Sequence, residues 1–315
     1  MNLHAPAGGA GLRPHLALVA VQLMFGTWPI VGKIALRALP STGLVALRIG
    51  GATVAFALLR RFTAHVPVTR RSDYARFALY SLLGVVLNQF LFTKGLAHST
   101  VINATLLGTC IPVFALLASV LLGTEKFSRR KAIGTFIAAC GVVYLVDPFR
   151  AEFSGEKTFG NILLIANTVA YGAYIALSQE MFRRYGALTV ITWVFAIGSI
   201  VSVPFGGYFL AQTPLENLNW QVWLSVLYII VVPTVGAYYL NAWALERVAP
   251  STVAVYIYLQ PLIAFAIAPL VLGSEESWSA RTGVAALLIF AGVAIVTMRT
   301  RVMRDVSEHP DALGH

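Results

Sequence analysis

Several stretches of this 315-residue chain carry side chains that could grip a small molecule. Asn167, Tyr171, Tyr174 and Ser178 are spaced by four, three and four, which puts amide, phenol and hydroxyl groups on one face of a helix. Thr234, Tyr238 and Asn241 repeat the device, Asn88 with Phe92 and Tyr256 with Gln260 offer smaller versions, and Trp28 adds an indole. Such groups form hydrogen bonds and stack on apolar bodies, and none is a nucleophile with a base beside it, so the chemistry they point to is binding. For each residue taken alone, a hydrogen bond to a neighbouring helix is an equally good reading, worth about 1 kcal/mol or less.

Three cations, Lys33, Arg48 and Lys94, lie in equally apolar surroundings, with no Asp or Glu comparably deep. Their field should repel cationic substrates and suit the carboxylate of a zwitterion or anion. Lys33 and Lys94 fall within about a turn of a predicted helix end, where long side chains snorkel to the interface. Arg48 lies about eight residues into its helix, roughly 12 Å deep, and needs a buried partner such as a carbonyl freed by a proline, an anion, or Asp147. A structural clamp is the favoured reading for Arg48. That leaves Lys94, which shares a helix with Asn88 and Phe92, as the cation to test against a substrate carboxylate.

The elements that must position these groups are membrane helices. The chain is 58% hydrophobic and only 11% charged, against roughly 25% charged in a soluble domain. Long stretches without an acid or base, such as 185–215, 217–245 and 248–274, hold or exceed the roughly 20 residues needed to cross a bilayer. Apolar length and turn punctuation predict ten spans, near 14–37, 41–60, 74–97, 100–123, 130–147, 159–181, 188–210, 219–244, 251–272 and 281–298. The first apolar run reaches Arg37 without an A-x-A site and reads as a retained span rather than a signal peptide.

The net charge of +10 reflects topology rather than nucleic-acid binding. With the N-terminus inside, the cytoplasmic segments hold Arg13, Arg60, Arg61, Arg70, Arg71, Arg76, Lys126, Arg129, Arg130, Lys131, Arg183, Arg184, Arg247, Arg299, Arg301 and Arg304. The opposite side holds only Arg37, Arg150, Lys157 and Arg281. Both termini are therefore expected in the cytoplasm, with the chain in the cell inner (plasma) membrane. Trp220, Trp223 and Trp278 suit anchors at the outer interface.

Pairs of segments half a chain apart resemble each other. Leu122-Gly123-Thr124-Glu125 matches Leu272-Gly273-Ser274-Glu275, Pro112-Val113-Phe114-Ala115 matches Pro261-Leu262-Ile263-Ala264, Gly95-Leu96 matches Ala244-Leu245, and Cys140-Gly141-Val142 matches Ala291-Gly292-Val293. Five helices per copy is an odd number, so the second copy must enter the membrane from the opposite face, an arrangement typical of secondary transporters with substrate near the midplane. On these blocks, together with Phe25-Gly26-Thr27 and Lys33, Leu47-Arg48, and Gly84 through Gly95-Leu96, the chain resembles the EamA family of the drug/metabolite transporter superfamily. Thr124 and Ser274 each add one residue to that family's usual G-E junction. The resemblance implies an all-α integral membrane fold of ten transmembrane helices, built as two inverted five-helix repeats (1–148 and 159–298, then a cytoplasmic tail, 299–315). It also implies a central cavity surrounded by spans 1–4 and 6–9, and movement of a small metabolite without ATP.

Absences narrow the rest. No loop has room for a nucleotide-hydrolysing domain, and Gly26 to Ile34 misses the phosphate-loop pattern in spacing and in its last residue. The six histidines all lie in tails, loops or helix ends, so no metal or haem site is expected, nor any other cofactor. Cys110 and Cys140 sit in apolar segments without a disulfide framework. Pro29, Pro112, Pro204, Pro233 and Pro261 interrupt predicted helices, and all but Pro204 suit hinges for alternating access. The expected function is a secondary-active or facilitative transporter, in the exporting direction, of small metabolites such as amino acids or related organic compounds. The competing reading is an integral membrane transferase acting on lipid or isoprenoid substrates, which would need clustered acids or histidines near one interface. The partners expected are the bilayer and a small-molecule substrate. Gly134, Ala138 and Gly141 could support a weak homodimer, although packing within a monomer uses them equally well.

The charge count makes a direct prediction. In a background lacking Cys110 and Cys140, cysteines introduced as Gly155→Cys and Asp305→Cys should react with an impermeant maleimide from opposite faces; reaction of both from one face refutes the ten-span arrangement.

Overall fold

The computed structural model describes residues 12–63, 65–122, 129–146, 155–214, 216, 218–245, 256–257, 259–273 and 279–297. The tail 299–315, Asp147, Trp278 and the ends of both L-G-x-E blocks lie outside the described residues. Among those described, the regular elements are helices and no strand occurs.

The chain opens with α1 (Leu12–Leu36), turns through Pro40 and runs back as α2 (Ser41–Phe62). Next, α3 (Asp73–Ser81) passes through a π-helical segment, π1 (Leu82–Leu87), into α4 (Asn88–His98). Then comes α5 (Val101–Gly108), whose N-terminus is capped by the Thr100 hydroxyl accepting from the Asn103 amide at 3.1 Å. A two-residue turn separates it from α6 (Ile111–Leu121), and α7 (Arg129–Val146) completes the first half. In the second half, α8 (Glu156–Tyr185) stops at Gly186, where φ is +73°, a region L side chains rarely adopt. The chain turns there directly into α9 (Ala187–Ala211). After α10 (Trp220–Ile229), a second π-helical segment, π2 (Ile230–Gly236), leads into α11 (Ala237–Leu245). Finally come α12 (Leu259–Leu272) and α13 (Ala280–Thr297).

Six continuous stretches are long and apolar enough to cross a membrane: Leu12–Leu36, Ser41–Phe62, Asp73–His98, Glu156–Ser178, Ala187–Ala211 and Trp220–Ala244. Shorter apolar helices supplement them. The outward surface is apolar, with Leu58, Leu121, Ile200, Leu270 and Leu287 all exposed, as a lipid-facing wall requires. The protein is a multi-pass membrane protein.

Two of the prolines stand at helix starts rather than inside helices. The span expected at 100–123 is two helices, and Pro112 sits in the first turn of α6, where its missing N–H has no helical partner to lose. Pro261 likewise lies in the first turn of α12. Neither kinks a continuous helix, whereas Pro29 and Pro204 lie inside α1 and α9, and Pro233 inside π2.

Packing pairs the halves. α2 lies along α9, and α7 along α13. α4 packs on α8 while, half a chain away, α11 packs on α1; α6 also packs on α8, as α12 does on α1. The α4–α8 crossing is close enough that a Cβ on Gly160 would sit 2.7 Å from the His98 backbone carbon and 2.8 Å from the Gly95 carbonyl oxygen. Gly141 of α7 lies against Ile289 of α13, so this small residue serves packing within one chain. Arg281 ties the same pair, its Nε and Nη2 donating to the Tyr144 carbonyl at 2.9 and 2.8 Å.

Candidate functional site

Where α1, α2, α8 and π2–α11 converge, the interior is polar and aromatic. Its centre is Arg48, only 4% exposed. Its Nε donates to the Thr234 hydroxyl at 2.6 Å, and its guanidinium carbon lies 4.1 Å from the centroid of the buried Trp28 ring, a cation–π contact. Thr234 in turn donates to the Ile229 carbonyl at 2.8 Å. The proline at 233 has no N–H to give that carbonyl, and the π-helical register passes it to the amide five residues on, that of Thr234 itself, so the Thr234 hydroxyl is a second donor there. Among the described residues the hydrogen-bond partner of Arg48 is this hydroxyl.

Around this centre stand rings from several helices. Tyr238 is buried, edge-on to Phe195 at 5.2 Å and to Phe25 at 5.9 Å between centroids. Tyr171 and Tyr238 are near enough to Arg48 to interact with its charge. Tyr171 stacks at a tilt on Tyr174, 5.5 Å away, and Tyr174 reaches Tyr80 at 6.3 Å. Trp28 meets Phe92 at 6.0 Å. Gly84, on π1, faces the Tyr174 ring so closely that a Cβ would fall 2.6 Å from it, which makes the glycine a requirement of that ring's position.

The remaining candidates spread outward. Asn167 is buried, and its Nδ2 donates to the Asn88 main-chain carbonyl at 2.7 Å, so it ties α8 to α4. Gln260 donates from Nε2 to Gln22 Oε1 at 2.6 Å, and Tyr256 shares a 2.8 Å hydrogen bond with His15, both joining the α12 side of the bundle to α1. Asn241 is half-buried on α11 with no hydrogen bond among the described residues. Lys94 is exposed on α4. Lys33 lines an open recess of about 440 Å³ with His98, Ser99, Thr100, Glu156 and Lys157, at the end of the bundle where α4 and α8 meet. Of the three cations, only Arg48 turns into the centre.

Two features of this region escaped the sequence reading. Gln89 and Thr93, one turn apart on α4, are buried, and their side-chain polar atoms have no partner among the described residues. Gln89 stands 149 residues before Tyr238, at the matching place just after the π segment, and a self-comparison of the sequence could have singled it out. The second feature is a pair of tyrosine crossings. Tyr80 donates to the Leu177 carbonyl at 2.8 Å, joining α3 to α8. Tyr228 meets Thr27 at 2.7 Å, joining α10 to α1; because the Thr27 hydroxyl gives its proton to the Leu23 carbonyl at 2.8 Å, Tyr228 is the donor. Tyr80 and Tyr228 are 148 residues apart, and Thr27 and Leu177 are 150 apart. Below Tyr80, Asp73 accepts from Tyr185 at 2.7 Å and from Arg184 at 3.1 Å, which closes the end of the bundle where α3 begins.

Comparison with known proteins gives a consistent outcome. Residues 12–146 and 158–298 each match the EamA-like transporter family. A protein of Archaeoglobus fulgidus named only as an uncharacterized transporter is 28% identical, covering 91% of this chain and 98% of its own. The uncharacterized transporter YetK of Bacillus subtilis is 22% identical over 91% of this chain and 87% of its own, and a WAT1-related protein of Arabidopsis thaliana is 22% identical over 95% and 86%. A solved crystal structure shares the fold with a TM-score of 0.61 at 20% identity, covering 90% of this chain and 96% of that one.

The Thr234 relay can be tested by shape-conserving change. Thr234→Val leaves the Arg48 Nε without its hydroxyl partner, while the Ile229 carbonyl keeps the π-helical amide bond, and should cost about 1–3 kcal/mol. It should lower the melting temperature in detergent while Thr234→Ser leaves it close to the native value; equal melting of the Val and native proteins removes the relay from the account.

Proposed function

The chain belongs to the EamA-like transporter family, and from that premise we propose that it is a secondary-active or facilitative transporter, exporting small metabolites such as amino acids or related organic compounds by alternating access. Membership and the transporter names of its relatives indicate a transporter and not an enzyme, which removes the lipid-transferase reading. The observation that carries the proposal is the interior cluster of buried Arg48, Trp28, Tyr174 and Tyr238 with half-buried Tyr171, to which residues of both family-matched halves contribute. A soluble domain has no need of such a centre, and in a bilayer its polar atoms are affordable only around a ligand or one another.

In this reading ten spans form two inverted repeats in the inner membrane, with both termini cytoplasmic and a monomer or weak homodimer as the working unit. The matched packing of α4 on α8 and α11 on α1, and the π segments beginning at 82 and 230, support the repeat relation. The binding surface consists of Trp28, Asn88, Phe92, Tyr171, Tyr174, Tyr238 and Asn241, with Asn167, Tyr256 and Gln260 joining helices at its border. Gln89 and Thr93 add donors and acceptors without a partner among the described residues, on the same helix as Phe92. Pro233 and Pro29 supply the flexible points. Under the inverted arrangement the two tyrosine crossings lie in opposite halves of the membrane, so each acts as a latch that must release for the centre to open to its own side.

Proteoliposomes loaded with a defined mixture of amino acids, organic acids, sugars, nucleosides and amines provide the test. Amino acids or related compounds should leave faster than from protein-free vesicles, and no difference for any compound ends the transport reading. Tyr228→Phe and Tyr80→Phe should raise solvent accessibility of a cysteine at position 238 from opposite faces; a shift toward the same face in both variants contradicts alternating access through these latches.

A further inference from the structure

Among the described residues, Arg48 is a buried charge left incompletely satisfied. An arginine side chain offers five N–H donors and cannot shed its charge. Among the described residues Nε alone has a hydrogen-bond partner, a neutral hydroxyl, and the guanidinium carbon lies 4.1 Å from the Trp28 ring centroid. No ion pair joins Arg48 to any described acid, and the described acids Asp73, Glu156, Glu180 and Glu216 all stand at helix ends or in a loop. A structural clamp would be built otherwise, because an isolated buried cation costs several kcal/mol unless a counter-charge and a full set of acceptors meet it.

The geometry also says which part of the group is reserved. Thr234 holds the guanidinium from its Nε side and the Trp28 ring packs against its central carbon. What remains is the fork of the two terminal nitrogens, the edge that receives a carboxylate through two parallel hydrogen bonds. The phenol groups of Tyr171 and Tyr238 lie within electrostatic reach of the same cation. Lys94 is exposed and Lys33 lines the recess at the bundle end, so neither competes for this position.

We propose that Arg48 is the anion-binding group of the transport site, holding the carboxylate of a zwitterionic or anionic substrate between its terminal nitrogens while the apolar body of that substrate rests among Trp28, Tyr171 and Tyr238. This deepens the transport reading above and rests on it. Thr234 is a positioning residue: it orients the guanidinium and touches no substrate. Because it belongs to the proline-containing π2 segment, occupancy of Arg48 by an anion bears directly on the flexible point of α10–α11.

The test uses the purified full chain in proteoliposomes, with L-phenylalanine and L-leucine as probes beside L-phenylalaninamide and L-leucinamide, which lack only the carboxylate, and with the mixed pool described above. Native protein should carry carboxylate compounds at least tenfold faster than their amides. Arg48→Lys, which keeps the charge but not the fork, and Arg48→Gln should each lose at least tenfold of carboxylate transport, and Thr234→Ser should keep it. Should neither Arg48 variant fold, the acid-against-amide ratio of the native protein decides alone. Native transport of uncharged compounds in preference to acids, or carboxylate transport by folded Arg48→Gln within twofold of native, overturns the assignment and leaves the transport reading standing. Failure of every compound to cross overturns both.

Discussion

A proline inside a membrane helix leaves a carbonyl four residues back without its usual donor, and no water is at hand to supply one. In this protein that carbonyl belongs to Ile229; the π-helical turn passes it to the Thr234 amide, and the hydroxyl of the same residue adds a second bond around which the centre of the bundle is organised. The Thr234 hydroxyl turns back to it and, having given up its proton, can only accept; Arg48, from a helix 186 residues earlier in sequence, is the donor. The bond fixes the guanidinium against Trp28 and thereby sets how α1, α2 and π2 approach one another. A helical defect, a buried charge and an aromatic plane are thus one unit.

How much of this could be read in the sequence depends on the range of the signal. Span positions came from apolar length, which is local, and agree with the described helices wherever these are continuous. The polar face of Asn167, Tyr171, Tyr174 and Ser178 came from helical spacing, and three of these four residues are buried while Tyr171 is half-buried. Periodicity fixes only a direction around one helix, though, and cannot say what stands opposite. Hence Asn167 could not be distinguished from Tyr171, although one ties two helices and the other faces Arg48's charge. The cations were separable by depth along their helices: Lys94, near a predicted helix end, is exposed, and Arg48, about eight residues in, is enclosed, but nothing local named Thr234 and Trp28 as what stands against it.

The π segments escaped for a different reason. An added residue per turn changes no composition, and Leu82–Leu87 contains nothing that a regular helix would refuse. What it changes is phase, since residues beyond it are rotated relative to those before it. Asn88 and Gln89 follow π1, and Ala237 and Tyr238 follow π2, so the faces they present are set by the defects preceding them. Such phase slips in corresponding places of the two halves are how nearly uniform apolar helices come to point a few polar groups inward. The broken α5–α6 rod serves the same end, with Pro112 starting a helix afresh.

The pairing of α7 with α13 bears on how the protein is made. Arg281 reaches the Tyr144 carbonyl across 137 residues of sequence, and Gly141 lies against Ile289. During synthesis, at about 5–20 residues per second, α7 therefore waits roughly 7–27 s for the helix that covers it. α1, likewise, waits for α11 and α12, and α2 for α9. For that interval the first half of the chain stands in the bilayer with Arg48 lacking its hydroxyl, because Thr234 has not yet been translated. The nascent first half is thus a distinct physical species, with an unmet cation in lipid, and its survival until the second half arrives is a demand on insertion and quality control that the finished bundle no longer displays.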